Sequence, residues 1–346
     1  MKKYFDDGAI TIYHGDALAT LAWMPKESVH CCVTSPPYWG LRDYGVPGQL
    51  GLEATPEKYV DSMVAVFSEV KRVLRDDGTL WLNVGDSYSA SPKGTLRGQE
   101  KSTLTSTETQ EKSPVGINKL VDGLKPKDLI GIPWMLAFAL RADGWYLRSD
   151  IIWAKPNGMP ESVTDRPTRS HEHLFLLTKS ERYFFDAAAI RTPPRAGTVL
   201  RLSQPTLDRQ VGSNRANGGR KTNGPMKARI PERKKERGHP RPMEGNLDAE
   251  PRDHQGLGGA NIRDVWWISP ATFSEAHFAT FPEDLVLPCI LAGCPAGGTV
   301  LDPFLGSGTT AMVAEANACK AIGIELNEEY IKIALGRVKQ KGLEFA

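Results

Sequence analysis

The chain has 346 residues, 40% hydrophobic and 24% charged, with a formal net charge of only +2. That length can bury a large core and suggests one large domain with insertions, or two domains. Five cysteines (Cys31, Cys32, Cys289, Cys294, Cys319) without CxxC spacing argue against a disulfide framework or a zinc site, and for a reduced compartment. No apolar N-terminal segment reads as a signal peptide and no run approaches the ~20 apolar residues of a membrane span. A cytoplasmic protein with no membrane partner and no metal is therefore expected.

Ala9 to Tyr13 reads as a strand, and His14-Gly15-Asp16-Ala17-Leu18 turns into a helix. Asp16, at that junction, can cap the helix or face a ligand at the strand's carboxyl end. Val29 to Val33 is a buried strand that runs into Thr34-Ser35-Pro36-Pro37-Tyr38-Trp39-Gly40. Two consecutive prolines fix φ and remove two backbone donors, which leaves carbonyls there to accept hydrogen bonds from a ligand. With a serine hydroxyl before them and two aromatic rings after, the turn suits a planar ring that carries an amino group; by themselves these residues equally describe a proline-rich loop after a strand. An irregular loop covers Trp39 to Leu52. Pro56 to Leu74 has helical periodicity, Asp76-Asp77-Gly78 stops it, and Thr79 to Val84 is a buried strand. This is the α/β rhythm of a parallel sheet. Ser89 to Asp122 lacks periodicity and reads as a mobile loop or a plain disordered insertion.

Pro133 to Arg141 is a short helix, and Trp145 to Lys155 and Leu174 to Thr178 are strands. The pair His171-Glu172 can be a core cap, part of a base-facing site or, with a third ligand that is not in sight, a metal pair. The composition then changes. From Arg191 through Arg241 there are fourteen basic residues against three acidic ones, a net of +11, so the rest of the chain is acidic. Such a stretch cannot build its own core and is expected to lie on a polyanion, over the carboxyl ends of the strands, or to stay loose as a solvated charged loop.

Order returns at Asp264 to Ile268, followed by a helix from Glu283 to Ala292. A strand, Gly298 to Asp302, leads into Pro303-Phe304-Leu305-Gly306-Ser307-Gly308-Thr309-Thr310 and a helix, Ala311 to Asn317. A further strand, Lys320 to Ile324, ends in Glu325, and the last helix, Glu328 to Lys341, turns Tyr330, Ile333, Ala334 and Val338 inward. Strand, acid, glycine turn, helix, strand, acid is the layout of a site for a nucleoside-bearing cofactor. No lysine follows the second glycine, so the turn is not a P-loop, and it lacks the GxGxxG spacing of dinucleotide sites.

Ser35-Pro36-Pro37-Tyr38 together with Asp302 to Thr310 resembles the DNA amino-methyltransferases that use S-adenosylmethionine, in the β-group order of catalytic motif, target recognition and cofactor motif. The resemblance implies an α/β, Rossmann-like twisted mixed sheet with helices on both faces, the class I methyltransferase fold, carrying a loop-rich target-recognition insertion. One methyltransferase domain would comprise residues 1–187 and 262–346, with a mobile loop at about 89–122 and the basic insertion at 188–261. Ser35 and Pro36 would accept hydrogen bonds from the target amino group, and Tyr38, held by Pro37, would stack on the extruded base. Phe304, Gly306, Ser307, Gly308 and Thr309 would wrap the cofactor, with Asp302 near its methionine end. Glu325 would take the ribose hydroxyls, Asp16 would lie near the adenine, and Phe281 would pack on the methionine. DNA contacts would come from Arg191, Arg195, Arg201, Arg209, Arg215, Arg220, Lys221, Arg229, Lys234 and Lys235.

In that family the serine form of the motif goes mostly with cytosine N4 and the aspartate form with adenine N6. Site-specific methylation of cytosine N4 in double-stranded DNA is therefore the expectation, and adenine N6 the alternative. A DNA-binding protein that retains the fold without turnover, or methylation of RNA or of protein glutamine, are the alternatives of other kinds. A bacterial or phage-encoded protein, monomer or homodimer, beside a separate restriction endonuclease would fit the same resemblance. Cys31 and Cys32 precede the prolines and are expected in the core.

Overall fold

A computed structural model describes residues 3–41, 45–89, 121–158, 161–193, 259–270 and 282–344. The chain divides into two compact units, Met1–Phe185 with Arg263–Ala346, and Asp186–Ile262. The described elements are β1 (Lys3–Asp6), β2 (Ile10–His14), α1 (Ala17–Trp23), β3 (Val29–Thr34), α2 (Pro56–Val73), β4 (Leu74–Val84), α3 (Ile132–Ala142), β5 (Tyr146–Ala154), β6 (His171–Thr178), β7 (Val265–Trp267), α4 (Glu283–Gly293), β8 (Thr299–Asp302), α5 (Thr309–Ala316), β9 (Lys320–Glu325) and α6 (Glu328–Glu344). The strands form one mixed sheet in the order β1-β2-β9-β8-β3-β4-β6-β5-β7.

Strands β2, β9, β8, β3 and β4 run parallel, whereas β6 is antiparallel to both β4 and β5. From β3 the chain goes through α2 to β4 on one side. From β8 it goes through α5 to β9 on the other. The direction of winding thus reverses between β3 and β8, and the carboxyl ends of the strands leave a crevice there.

Alternation along the strands divides the core between two faces. Cys32, Leu80 and Leu82 pack with Tyr59, Met63 and Phe67 of α2 and with Leu136 and Leu140 of α3. Thr79, one residue out of phase, donates its hydroxyl to the Gly293 carbonyl of α4 at 3.3 Å. A Cβ on Gly293 would collide with Thr79 Oγ1 and stand 2.5 Å from Trp81 Nε1, so only glycine lets α4 lie this close to the sheet. Helix α2 forms as its periodicity predicts. Thr55 accepts from the Lys58 amide, Pro56 opens the first turn, and Lys71 and Arg72 sit in the last.

Four local expectations change. Strand β1 is exposed and short, carries no periodicity to read, and exists by antiparallel pairing with β2. Asp76-Asp77-Gly78 does not separate helix from strand: β4 begins at Leu74, and these residues form an irregularity between the pairs Val29–Leu74 and Cys31–Thr79. Strand β6 begins at His171, three residues before its apolar run, because Glu172 pairs with Trp153 across the ladder. In α6, Ile331, Ala334 and Val338 are buried, while Tyr330 and Ile333 line a cavity instead. Cys31 and Cys32 are fully buried, and burial pushes the Cys31 thiol up to about 12.

In the unit Asp186–Ile262, Thr192 and Ala260 exchange backbone hydrogen bonds of 2.9 and 3.0 Å, which draws together the ends of the segment between them. Of the basic residues expected to touch DNA, Arg191 is described. Arg195, Arg201, Arg209, Arg215, Arg220, Lys221, Arg229, Lys234 and Lys235 lie outside the described residues, as do Phe281 and most of the expected loop at 89–122. No described helix is long and apolar enough to cross a membrane.

Candidate active site

A cavity of about 260 Å³ opens at the carboxyl ends of β2, β3, β4, β8 and β9, where the winding reverses. One side carries Ser35, Pro36, Pro37, Tyr38, Asn83, Trp153, Lys155 and Glu172; the other carries Asp16, Phe304, Gly306, Ser307, Thr309, Glu325 and Tyr330. The two motifs separated by nearly three hundred residues therefore face one space.

On the first side, the Tyr59 hydroxyl donates to the Pro37 carbonyl at 2.9 Å, fixing the proline turn to α2. The Pro36 carbonyl accepts no hydrogen bond from the described residues and remains available to a ligand donor. Tyr38 is held from three directions. Its hydroxyl donates to Glu172 Oε2 at 2.8 Å and accepts from Asn83 Nδ2 at 2.5 Å. A Cβ on Gly85 would lie 2.7 Å from its Cε2, so the ring occupies the place of a side chain on β4's last turn. Burial, and then the neighbouring Glu172, raise the phenol's pKa well above its usual value and keep it protonated. Ser35 Oγ lies 3.3 Å from the Tyr38 hydroxyl and 3.4 Å from Asn83 Nδ2. Glu172 Oε1 pairs with Lys155 Nζ, which also sits 4.1 Å from the centroid of the Trp153 ring. Asn83 Oδ1 is buried and has no partner among the described residues.

On the second side, glycine is required at two places for different reasons. Gly306 has φ +52°, and a Cβ there would meet nothing closer than the Phe304 carbonyl at 3.9 Å, so it would project into open space beside the turn. Gly308 has φ +84° and a Cβ there would lie 2.8 Å from Ala334 Cβ, so its bareness lets α6 pack on the turn. Gly308 does not line the cavity. Arg337 of α6 donates to the Ser307 carbonyl and hydroxyl at 2.8 and 2.7 Å, holding the turn from behind.

The two strand-ending acids have different environments. Glu325 lines the cavity, accepts from the amides of Gly306 (2.8 Å) and Asn327 (2.8 Å), and is raised in pKa by burial. Asp302 is 1% exposed and lies outside the cavity. Its oxygens accept from Thr34 Oγ1 at 2.6 Å, Thr310 Oγ1 at 2.7 Å and the Phe304 amide at 3.0 Å. It bolts the end of β3 to the glycine turn and the start of α5, and burial raises its pKa to about 6 despite those donors. Asp16 meets both of its readings: it accepts from the Ala19 amide at 2.8 Å as the cap of α1, and it lines the cavity.

Of the pair His171-Glu172, Glu172 lines the cavity and bonds Tyr38. His171 is exposed and stacks edge-on with His173, 5.5 Å between centroids. Sequence reasoning missed Asn83, Trp153 and Lys155, which carry no motif. The only available signal was their place at strand ends.

Known proteins resemble this chain over most of its length. The N6/N4 methyltransferase family model, described as DNA methylase, matches residues 29–336. The type II methyltransferase M.Cfr9I of Citrobacter freundii is 44% identical over 95% of this chain and 87% of its own. Among solved structures, the PvuII DNA methyltransferase, described as cytosine-N4-specific, superposes with a TM-score of 0.59 at 17% identity over 95% of this chain and 86% of its own. A Thermus thermophilus protein described as a putative DNA modification methylase, complexed with S-adenosyl-L-methionine, has a TM-score of 0.52 at 22% identity over 95% of this chain and 94% of its own. These likenesses carry the fold.

Proposed function

Because the chain belongs to the N6/N4 family of DNA methylases, we propose that it methylates the exocyclic amino group of a base flipped out of double-stranded DNA, cytosine N4 in particular, with S-adenosylmethionine as donor. The observation that carries this is the single cavity shared by the Ser35–Tyr38 turn and the glycine turn. The residues present fit the donor. Glu325 offers a carboxylate suited to two vicinal hydroxyls, Gly306 leaves the space a side chain would fill, and Phe304 and Tyr330 supply apolar faces. Asp16, Ser307 and Thr309 complete that side, and Phe281 belongs with it by its motif. When bound, S-adenosylmethionine supplies an electrophilic methyl group.

The chain's own part is to make an amine nucleophilic. The nitrogen of a base amino group is poor because its lone pair is delocalised into the ring. Ser35 Oγ and the Pro36 carbonyl, accepting its two hydrogens, favour a more tetrahedral nitrogen with its lone pair directed across the cavity. Extruding the base costs a few kcal/mol, and stacking on Tyr38 offsets roughly 1–3 kcal/mol of it. Tyr38 meets the base already locked by Glu172, Asn83 and Gly85, so little ordering remains at binding.

Serine at position 35 supports cytosine as the target. The basic residues of 188–261, Arg191 among them, support target recognition by that segment through phosphate contacts. M.Cfr9I, named as a type II methyltransferase, supports a setting with a separate endonuclease. The test is mass spectrometry of nucleosides from unmethylated DNA incubated with the protein and S-adenosylmethionine. N4-methylcytosine is the expected product. N6-methyladenine moves the target base and keeps the class, and the absence of both products overturns the proposal.

A further inference from the structure

We infer that Glu172 is the final proton acceptor of the methyl transfer, reached from Ser35 through the Tyr38 hydroxyl. This rests on the methyltransferase reading above. An amino nitrogen that gains a methyl group becomes cationic and must lose a proton. A hydrogen-bonded line leads away from that point. Ser35 Oγ donates to Tyr38 Oη at 3.3 Å, and Tyr38 Oη donates to Glu172 Oε2 at 2.8 Å. Both donors point toward the carboxylate, as a relay from the base requires.

The surroundings leave Glu172 as the only fit terminus among the groups on Tyr38. Asn83 Nδ2 donates to Tyr38 Oη at 2.5 Å and to Glu172 Oε2 at 2.9 Å, and an amide nitrogen takes no proton. Lys155 occupies Glu172 Oε1 and carries no acceptor, which leaves Oε2 as the receiving oxygen. His171, next in the chain, directs its ring toward His173 instead. Glu172, Asn83 and Lys155 come from three neighbouring strands (β6, the end of β4, and just past β5), so the carboxylate is built into the sheet.

The step balances. The N–CH3 bond forms as the S–CH3 bond breaks, with the electron pair passing to sulfur. The nitrogen gives one proton to Ser35 Oγ, Ser35 gives its own to Tyr38 Oη, and Tyr38 gives its own to Glu172 Oε2. The positive charge lost by the donor is matched by neutralisation of the carboxylate, and the proton leaves to solvent after product release.

The experiment compares the full chain with Glu172→Gln and Tyr38→Phe in single-turnover methylation of duplex DNA. Glutamine still accepts from the Tyr38 hydroxyl and phenylalanine still stacks, so a merely structural role predicts near wild-type rates. The relay predicts that each variant loses roughly 10²-fold in rate, keeps its affinities for S-adenosylmethionine and DNA, and that the double variant is no slower than either single one. Difference infrared spectroscopy of one turnover should show a protonated carboxyl band in the wild type that is absent from Glu172→Gln. A wild type that methylates alongside an equally fast Glu172→Gln overturns the relay alone. Multiplying losses in the double variant, or loss of cofactor affinity in Glu172→Gln, also overturn it by marking a structural role. A wild type that makes no methylated base overturns the proposed function and the relay with it.

Discussion

The two sides of the cavity are built by opposite means. The cofactor side is organised around one contiguous turn, Pro303 to Thr309, whose amides meet one acid, Glu325, on the next strand, with Asp16 and Tyr330 beside it. The base side starts from a contiguous turn too, Ser35 to Tyr38. Its geometry, however, comes from single residues at the ends of β4 and β6, Asn83 and Glu172, that meet at one phenol hydroxyl, with Lys155, just past β5, on the other oxygen of Glu172. Backbone recognition needs few side chains and tolerates little change in φ. Side-chain recognition needs several elements in register, and it fails when any one of them moves. Asp302 joins the halves by bonding Thr34 before the proline turn and Thr310 after the glycine turn.

The sharpest way to separate the two sides is Glu325→Ala. It leaves two backbone amides without their acceptor and removes the carboxylate from the cavity. Hydrogen bonds to a charged group are each worth about 1.5–3 kcal/mol, so cofactor affinity should fall by roughly 10²-fold or more while DNA affinity holds. Calorimetric titration of each ligand checks this, and equal losses for both would erase the division.

The junction is tested by pH. Asp302's folded pKa, about 6, stands above its unfolded value, so the native state binds its proton more tightly. Stability from this group is fully present below pH 4 and is lost as pH rises through 6, on the order of 3 kcal/mol. Asp302→Asn removes the titration but forfeits one acceptor oxygen. Its stability relative to wild type, from urea midpoints, should therefore improve from pH 4 to pH 7; a flat difference would show that burial does not strain this carboxylate.

Gly85→Ala addresses the base side alone. The new methyl would lie 2.7 Å from the Tyr38 ring, and overpacking of this kind costs about 1–3 kcal/mol. Because the ring must shift, turnover should drop about tenfold with cofactor affinity unchanged. A variant with normal turnover would show that the preset position of Tyr38 is unimportant.

The smallest effect expected is that of Tyr59→Phe. It removes the donor to the Pro37 carbonyl, about 0.5–1.5 kcal/mol, without touching the cavity wall. Thermal denaturation should register this loss, and a larger fall in turnover than in stability would move Tyr59 from support into the site itself.

The contiguous motifs were legible in the chain because their chemistry is local. Consecutive prolines constrain φ wherever they occur, glycines at a strand–helix turn permit close approach, and helix α2 announces its caps and its apolar face. The same locality put Glu325 at a strand end beside the glycine turn and Asp16 at the junction where it both caps α1 and lines the cavity. Locality misled at Asp302, whose position at a strand end looks like that of Glu325 and whose role is decided by Thr34, 268 residues away. It also misled at Asp76-Asp77-Gly78, where pairing with β3 carries the strand through residues that would break an isolated one. Asn83 and Lys155 were beyond reach for a stronger reason, and Glu172 kept several readings open for the same one. Nothing in their own neighbourhoods distinguishes a strand-end asparagine, lysine or glutamate from a solvated one. They converge because the antiparallel insertion of β6 between β4 and β5 brings three strand ends beside the proline turn. The sequence by itself determined the two motif turns and most of the helices. Only the tertiary structure decided which polar side chains converge on Tyr38, because convergence depends on strand order and register, and neither is written in any one stretch of chain.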